Sequence, residues 1–123
     1  MSGKLTTHVL DTANGCPAAG LTIELWRIHP SSDSAPPSSL VKTVTTNTDG
    51  RTNEPLLDSN SFAIGTYELR FAVGDYFRQQ HPQLPTPLFL DWVPIRFGMA
   101  DATSHYHVPL LCSPWAYSTY RGS

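Results

Sequence analysis

The sequence predicts an all-β protein, a two-layer sandwich of seven to eight strands with one short helix. Three observations predict it. Short runs alternate apolar and polar residues with a period of two, the pattern of strands that bury one face. Eleven prolines, eight glycines and many threonines punctuate those runs at regular spacing. Only one stretch carries the flanking signals of a helix.

The elements follow in order. "KLTTHVLD" sets Leu5, Thr7 and Val9 against Thr6, His8 and Leu10, and Asn14-Gly15-Cys16-Pro17 is turn chemistry. "LTIELWRI" sets Leu21, Ile23, Leu25 and Arg27 against Thr22, Glu24, Trp26 and Ile28. Residues 29–39, "HPSSDSAPPSS", read as a polar, proline-rich surface loop. "LVKTVTTN" (Leu40 to Asn47) resumes strand character and runs into the turn Thr48-Asp49-Gly50-Arg51. "GTYELRFAV" turns Tyr67, Leu69, Phe71 and Val73 one way. The helix is expected over Gly74 to Gln83, capped by Asp75 and stopped by Pro82. "FLDWVPIRFGMAD" is a strand that Pro94 assigns to a sheet edge or a bulge. "HYHVPLLCS" and "WAYSTYRG" form the last pair.

A length of 123 residues fits one domain, 1–123, able to bury roughly two-thirds of its unfolded surface. With 40% hydrophobic and 15% charged residues, the chain is globular. Its formal net charge is -2 and no Lys/Arg cluster appears, which argues against nucleic acid and anionic membrane as partners. No apolar run approaches the ~20 residues that span a bilayer. "MSGKLTTHVLD" does not read as a secretory signal, nor Arg-Gly-Ser as a peroxisomal address. Cys16 and Cys112 lack C-x-x-C spacing and read as free thiols in a reducing compartment, so the cytosol is expected.

Chemistry concentrates in few places. Alternation gives His105, His107, Pro109 and Leu111 one face of their strand, and Tyr106, Val108, Leu110 and Cys112 the core face. The first set is too polar for a core and too apolar for bulk solvent, so something should cover it. His8 likewise points away from the packed side of its own strand. Singly, each is the kind of histidine found hydrogen-bonded at a surface. Together they suggest a site, and His-x-His is also a metal-ligand spacing, although no carboxylate or cysteine stands where it would complete one. Arg51 is either a solvated arginine beside a hairpin or a fixed cation that opposes a developing oxyanion. No G-x-S-x-G elbow or glycine-rich phosphate loop is present, and a core-facing Cys112 would be inert. His29 and His81 precede prolines in loop-like sequence and read as bystanders.

Those residues also carry a family resemblance. "LTTHVLDTANGCPA", "TNTDGR" and "HYHVPLLCSPWAYSTYRGS", with "GTYELRF", "GDYF" and "VPIRF" in order between them, resemble the transthyretin-related 5-hydroxyisourate hydrolases over Leu5 to Ser123. Tyr-Arg-Gly-Ser is the piece that separates those hydrolases from the transthyretin hormone carriers. Two positions depart from the pattern: Cys112 stands where the family has an apolar residue, and Ala116 where it has glycine or serine.

The resemblance implies a transthyretin-like sandwich and hydrolysis of 5-hydroxyisourate to 2-oxo-4-hydroxy-4-carboxy-5-ureidoimidazoline in urate degradation. It implies His8, Arg51 and His107 as catalytic residues, with His105 a neighbour. His8, Arg51, Tyr120 and Ser123 would contact substrate. It implies no metal and no cofactor, and a homotetramer built as a dimer of dimers with sites in the channel between dimers. Peroxisomal association with urate oxidase is the alternative to the cytosol. A transthyretin-like carrier of small ligands in that channel is the alternative function.

Overall fold

The computed structural model describes residues 3–30 and 36–122. Among them are eight strands, β1 (Lys4–Asp11), β2 (Cys16–Pro17), β3 (Thr22–Ile28), β4 (Ser38–Thr45), β5 (Gly65–Ala72), β6 (Trp92–Met99), β7 (His105–Cys112) and β8 (Tyr117–Thr119), and one helix, α1 (Val73–Gln80). They form two four-stranded sheets, ordered β2-β1-β7-β8 and β4-β3-β5-β6. This is the sandwich that the alternation predicts, and the alternation also gives its inside. Leu5, Val9, Ile23, Leu25, Tyr67, Leu69, Phe71, Val108, Leu110 and Cys112 form one buried cluster between the sheets.

The connection that matters most is β1 to β7, which pair in parallel from Lys4↔His105 to Asp11↔Cys112. Every other strand pairing among the described residues is antiparallel. Buried polar groups sit where the ladder or a neighbour satisfies them. Asp11 accepts from Asn14 Nδ2 and Tyr76 Oη, both at 2.7 Å. Burial pushes the Asp11 pKa up, but those hydrogen bonds outweigh it and hold the carboxyl below its ordinary value. The Tyr76 phenol is correspondingly pushed up to about 12, by burial and by the Asp11 bond. Burial also raises the Cys112 thiol to about 12, the inert thiol that its core position implies. Both cysteines are free.

Several boundaries differ from the sequence expectation. The helix starts at Val73, directly from β5, with Ala72 as its N-cap residue and no side-chain cap. Asp75 therefore lies inside the first turn, where its charge still faces the positive end of the helix dipole. It ends at Gln80, earlier than expected, because Pro82 biases His81 away from helical geometry and His81 closes the turn with N–H donated to Phe77 O. Cys16 and Pro17 do more than turn: Gly15 at φ +70° reverses the chain, which then pairs back on Leu10 and Asp11. Strand β4 takes in Ser38 and Ser39, expected in the surface loop, because β3 extends to Ile28 and offers them partners. Residues 31–35 of that loop lie outside the described residues. Pro94 sits on β6, an edge strand.

Candidate active site

The outer face of the β2-β1-β7-β8 sheet gathers the residues singled out in the sequence. Parallel pairing in constant register puts them in rows. Lys4 stands level with His105, Thr6 with His107, His8 with Pro109, and Leu10 with Leu111. Strand β8 continues the rows, since Leu111 pairs Ser118 and an isolated bridge joins His107 to Gly122. Carried between those two pairings, the same register sets Tyr120 level with Pro109, in the His8 row, on the histidine face. Arg121 then points inward, and its guanidinium lies 4.2 Å from the centre of the Tyr106 ring. Tyr120 itself is 60% exposed. Ser123 lies outside the described residues.

Arg51 comes from the loop after β4, and the loop is pinned for it. Asn47 Oδ1 accepts from the backbone N–H groups of Asp49 and Arg51, and Gly50 N–H donates back to Asn47 O. Gly50 has φ +74°, and a Cβ there would collide with Val9 O. Only glycine lets the turn lie flat on β1. It is fastened there twice: Val9 N–H donates to Gly50 O at 2.8 Å, and His8 Nε2 bonds Asp49 O at 3.0 Å. A carbonyl only accepts, so His8 carries a proton on Nε2 and neutral His8 keeps its free lone pair on Nδ1. The Arg51 guanidinium has no ion-pair or hydrogen-bond partner among the described residues. It shares with Thr6 the wall of a hollow of about 160 Å³.

Electrostatics ties the cluster together. Burial lowers the His8 pKa, and Arg51 lowers it further. His107 is lowered by burial, then by Arg51, His105 and His8. His105 is lowered by burial and by Lys4. Each imidazole is thus biased toward the neutral, basic form near neutral pH. One fixed cation stands beside two bases on a partly covered face. That arrangement can accept a proton from water, return it to a leaving group and offset an oxyanion.

Three contributors were not legible as site residues. Thr6 Oγ1 lies 2.7 Å from His105 Nε2 and 2.8 Å from His107 Nδ1. Asp49 acts through its carbonyl. Gly122 donates N–H to His107 O, and a Cβ on it would stand 2.6 Å from His107 Cδ2, so a side chain there would force the imidazole to shift. The alternation did place Thr6 on the His8 face, but only the cross-strand register names its partners. Among the described residues no three His, Cys, Asp or Glu side chains converge as a metal-ligand set. His29 lies elsewhere, bonded to Ser39 Oγ. A larger hollow, about 410 Å³ between the β6 and β8 edges, is lined by Arg96, Tyr106, Tyr120 and Arg121 and contains no imidazole or carboxylate.

Residues 5–122 match the family described as the HIUase/Transthyretin family. The chain is 59% identical over 122 residues to 5-hydroxyisourate hydrolase 2 of Rhizobium meliloti, covering 99% of this chain and 98% of that one. Among solved structures it resembles (S)-allantoin synthase, with a TM-score of 0.88 and 46% identity. That likeness covers 99% of this chain but 44% of the other, so the chain spans less than half of that protein's length. Sea bream transthyretin in complex with thyroxine has a TM-score of 0.81 at 23% identity, covering 97% of this chain and 94% of that one. At that identity the likeness is one of fold.

Proposed function

The chain belongs to the HIUase/transthyretin family, and from that premise we infer that it hydrolyses 5-hydroxyisourate to 2-oxo-4-hydroxy-4-carboxy-5-ureidoimidazoline in urate degradation. Within the molecule, the observation that supports this reading is the convergence on one sheet face of His8, His107 and the Arg51 guanidinium, which has no partner among the described residues. Opening the ring is attack of water on an amide-type carbonyl. It needs a base for the water, a stabiliser for the tetrahedral oxyanion and a proton for the departing nitrogen. His8 and His107 share the two proton transfers, while Arg51 holds the substrate carbonyls and offsets the oxyanion. Tyr120 and Ser123 fix the ring and close off solvent. The scheme calls on no cofactor.

Residues 1–123 act as one transthyretin-like hydrolase domain. It assembles as a homotetramer, a dimer of dimers, in which a second dimer covers the face bearing His107 and Leu111. We place it in the cytosol, a reducing compartment that suits the free, exposed Cys16, with peroxisomal association as the alternative. Among the described residues no helix is long and apolar enough to cross a membrane. The carrier alternative has the fold likeness alone behind it. A channel for apolar ligands gains nothing from three polar groups that it must desolvate.

The test follows ultraviolet absorbance of 5-hydroxyisourate generated in place by urate oxidase, with and without the protein and with EDTA. Faster decay that survives EDTA is the expected result. Decay at the spontaneous rate from an assembled protein would overturn the reading, and loss of activity only in EDTA would replace it with a metal site.

A further inference from the structure

We propose that Thr6 is a positioning residue that sets the tautomer of His107, through one hydroxyl hydrogen-bonded at once to His107 Nδ1 and His105 Nε2. The proposal rests on the hydrolase reading in one respect: that His107 exchanges protons through Nε2. The rest is hydrogen-bond arithmetic. A threonine hydroxyl has one proton to give and two lone pairs to receive with. It cannot donate to both rings, and if it accepted from both, its own proton would have no protein acceptor among the described residues. When it donates to His105 Nε2, it accepts from His107 Nδ1–H, and His107 Nε2 is left bare. When it donates to His107 Nδ1, it accepts from His105 Nε2–H, and the His107 proton sits on Nε2.

Only the first arrangement serves catalysis. With Nδ1–H already donated to Thr6, His107 takes a proton from water at Nε2, becomes imidazolium and returns that proton to the departing nitrogen. The bond to Thr6 is unchanged throughout, so no hydroxyl rotates during turnover. In the second arrangement the lone pair lies on Nδ1, against β1, and no substrate atom reaches it. The surroundings permit the first. His107 is faced by His105 on its own strand, by His8 from β1 and by Arg51 from the loop after β4, while Lys4 faces His105. Asp49, the nearby carboxylate, acts on His8. Burial and Lys4 disfavour protonated His105, and a neutral His105 can accept the Thr6 proton at Nε2. Gly122 completes the arrangement by leaving the Cδ2 edge of His107, next to Nε2, uncovered by a side chain.

Two measurements test this. Nitrogen-15 NMR of the imidazoles in the wild-type protein near neutral pH reads the tautomer directly. A bare Nε2 and protonated Nδ1 on His107 are expected; a protonated Nε2 in the neutral ring would overturn the proposal. Thr6→Val keeps the shape and removes the hydroxyl. It should lower kcat at least about tenfold, since a mis-set histidine tautomer can cost up to about 10⁴, while KM stays within about threefold. The His107 signals should become mixed, and Thr6→Ser should recover most of the loss. Wild-type kcat in a folded Thr6→Val protein would overturn the proposal, and so would a Thr6→Ser protein as slow as Thr6→Val. If Thr6→Val does not fold, the wild-type NMR result decides. A wild-type protein inactive on 5-hydroxyisourate would defeat the hydrolase reading instead, and the NMR arm would still judge the tautomer.

Discussion

The sandwich has two outer faces, and they treat charge in opposite ways. On the β4-β3-β5-β6 sheet, Glu68 accepts from Arg70 Nε at 2.7 Å and Arg96 Nε at 3.1 Å. Arg70 also lies over the Trp26 ring at 4.2 Å, and Trp26 donates to Glu24. Every charge there that packs has its partner. Burial pushes Glu68 up, yet the two guanidiniums outweigh it and hold its carboxyl below the ordinary value. On the β2-β1-β7-β8 sheet, burial and neighbouring cations disfavour protonation of His8, His105 and His107, and the Asp49 carboxylate near His8 offsets this only in part. A face that closes its own electrostatics is scaffold. A face that leaves a cation and several bases open is prepared for a ligand that brings the complement.

Substitutions should break this contrast in a graded way. His107→Asn should lower turnover on the order of 10² or more, the lower range for a general acid–base group. Near-normal turnover from the assembled variant would remove His107 from the chemistry. Arg51→Met should cost about 10², the scale of one oxyanion-stabilising group, and the loss should appear in kcat. A change confined to KM would make Arg51 only a binder. Gly122→Ala should slow turnover roughly tenfold with little change in melting temperature, since it displaces the His107 ring and not the core. Across the sandwich, Glu68→Gln should leave kcat within about twofold. It should cost only about 1–2 kcal/mol in urea unfolding, because both arginines keep access to water. A catalytic defect there would collapse the distinction between the faces.

Acid gives a subtler way to sharpen it. Histidines whose folded pKa lies below the ordinary 6.5 bind fewer protons folded than unfolded. Their contribution to stability is present above 6.5 and is lost as pH falls below it through the folded values. In the proposed mechanism His8 and His107 must be neutral to act as bases, so the acid limb of kcat/KM should have its midpoint below 6.5. A midpoint above 6.5 in the wild-type profile would contradict the crowded-cation picture.

Alternation made the faces of β1 and β7 readable, and with them the sides taken by His8, His105, His107 and Cys112. Glycine and asparagine chemistry made the Arg51 turn readable. Partnership was not readable. Thr6 and His107 are 101 residues apart, and nothing local says that β1 lies parallel to β7. The bonds of Thr6 are a property of the register, as is the close approach of Gly122 to His107. Asp75 was misplaced because a capping residue and a first-turn acid satisfy the same dipole, and only the run of β5 straight into α1 distinguishes them. Asp11 showed no sign of its burial, since its partner Tyr76 comes from the helix.

The parallel union of β1 with β7 also has a consequence in time. During synthesis His8 emerges first and must wait, its strand lacking a neighbour on one side, until His107 and Gly122 have left the ribosome. On the proposed site no partly made chain would be active, and the edge of β1 that pairs with β7 stays without its native partner throughout that interval. An edge left without its native partner is a place where an unfinished chain can pair wrongly, so this topology ties completion of the site to completion of the sheet.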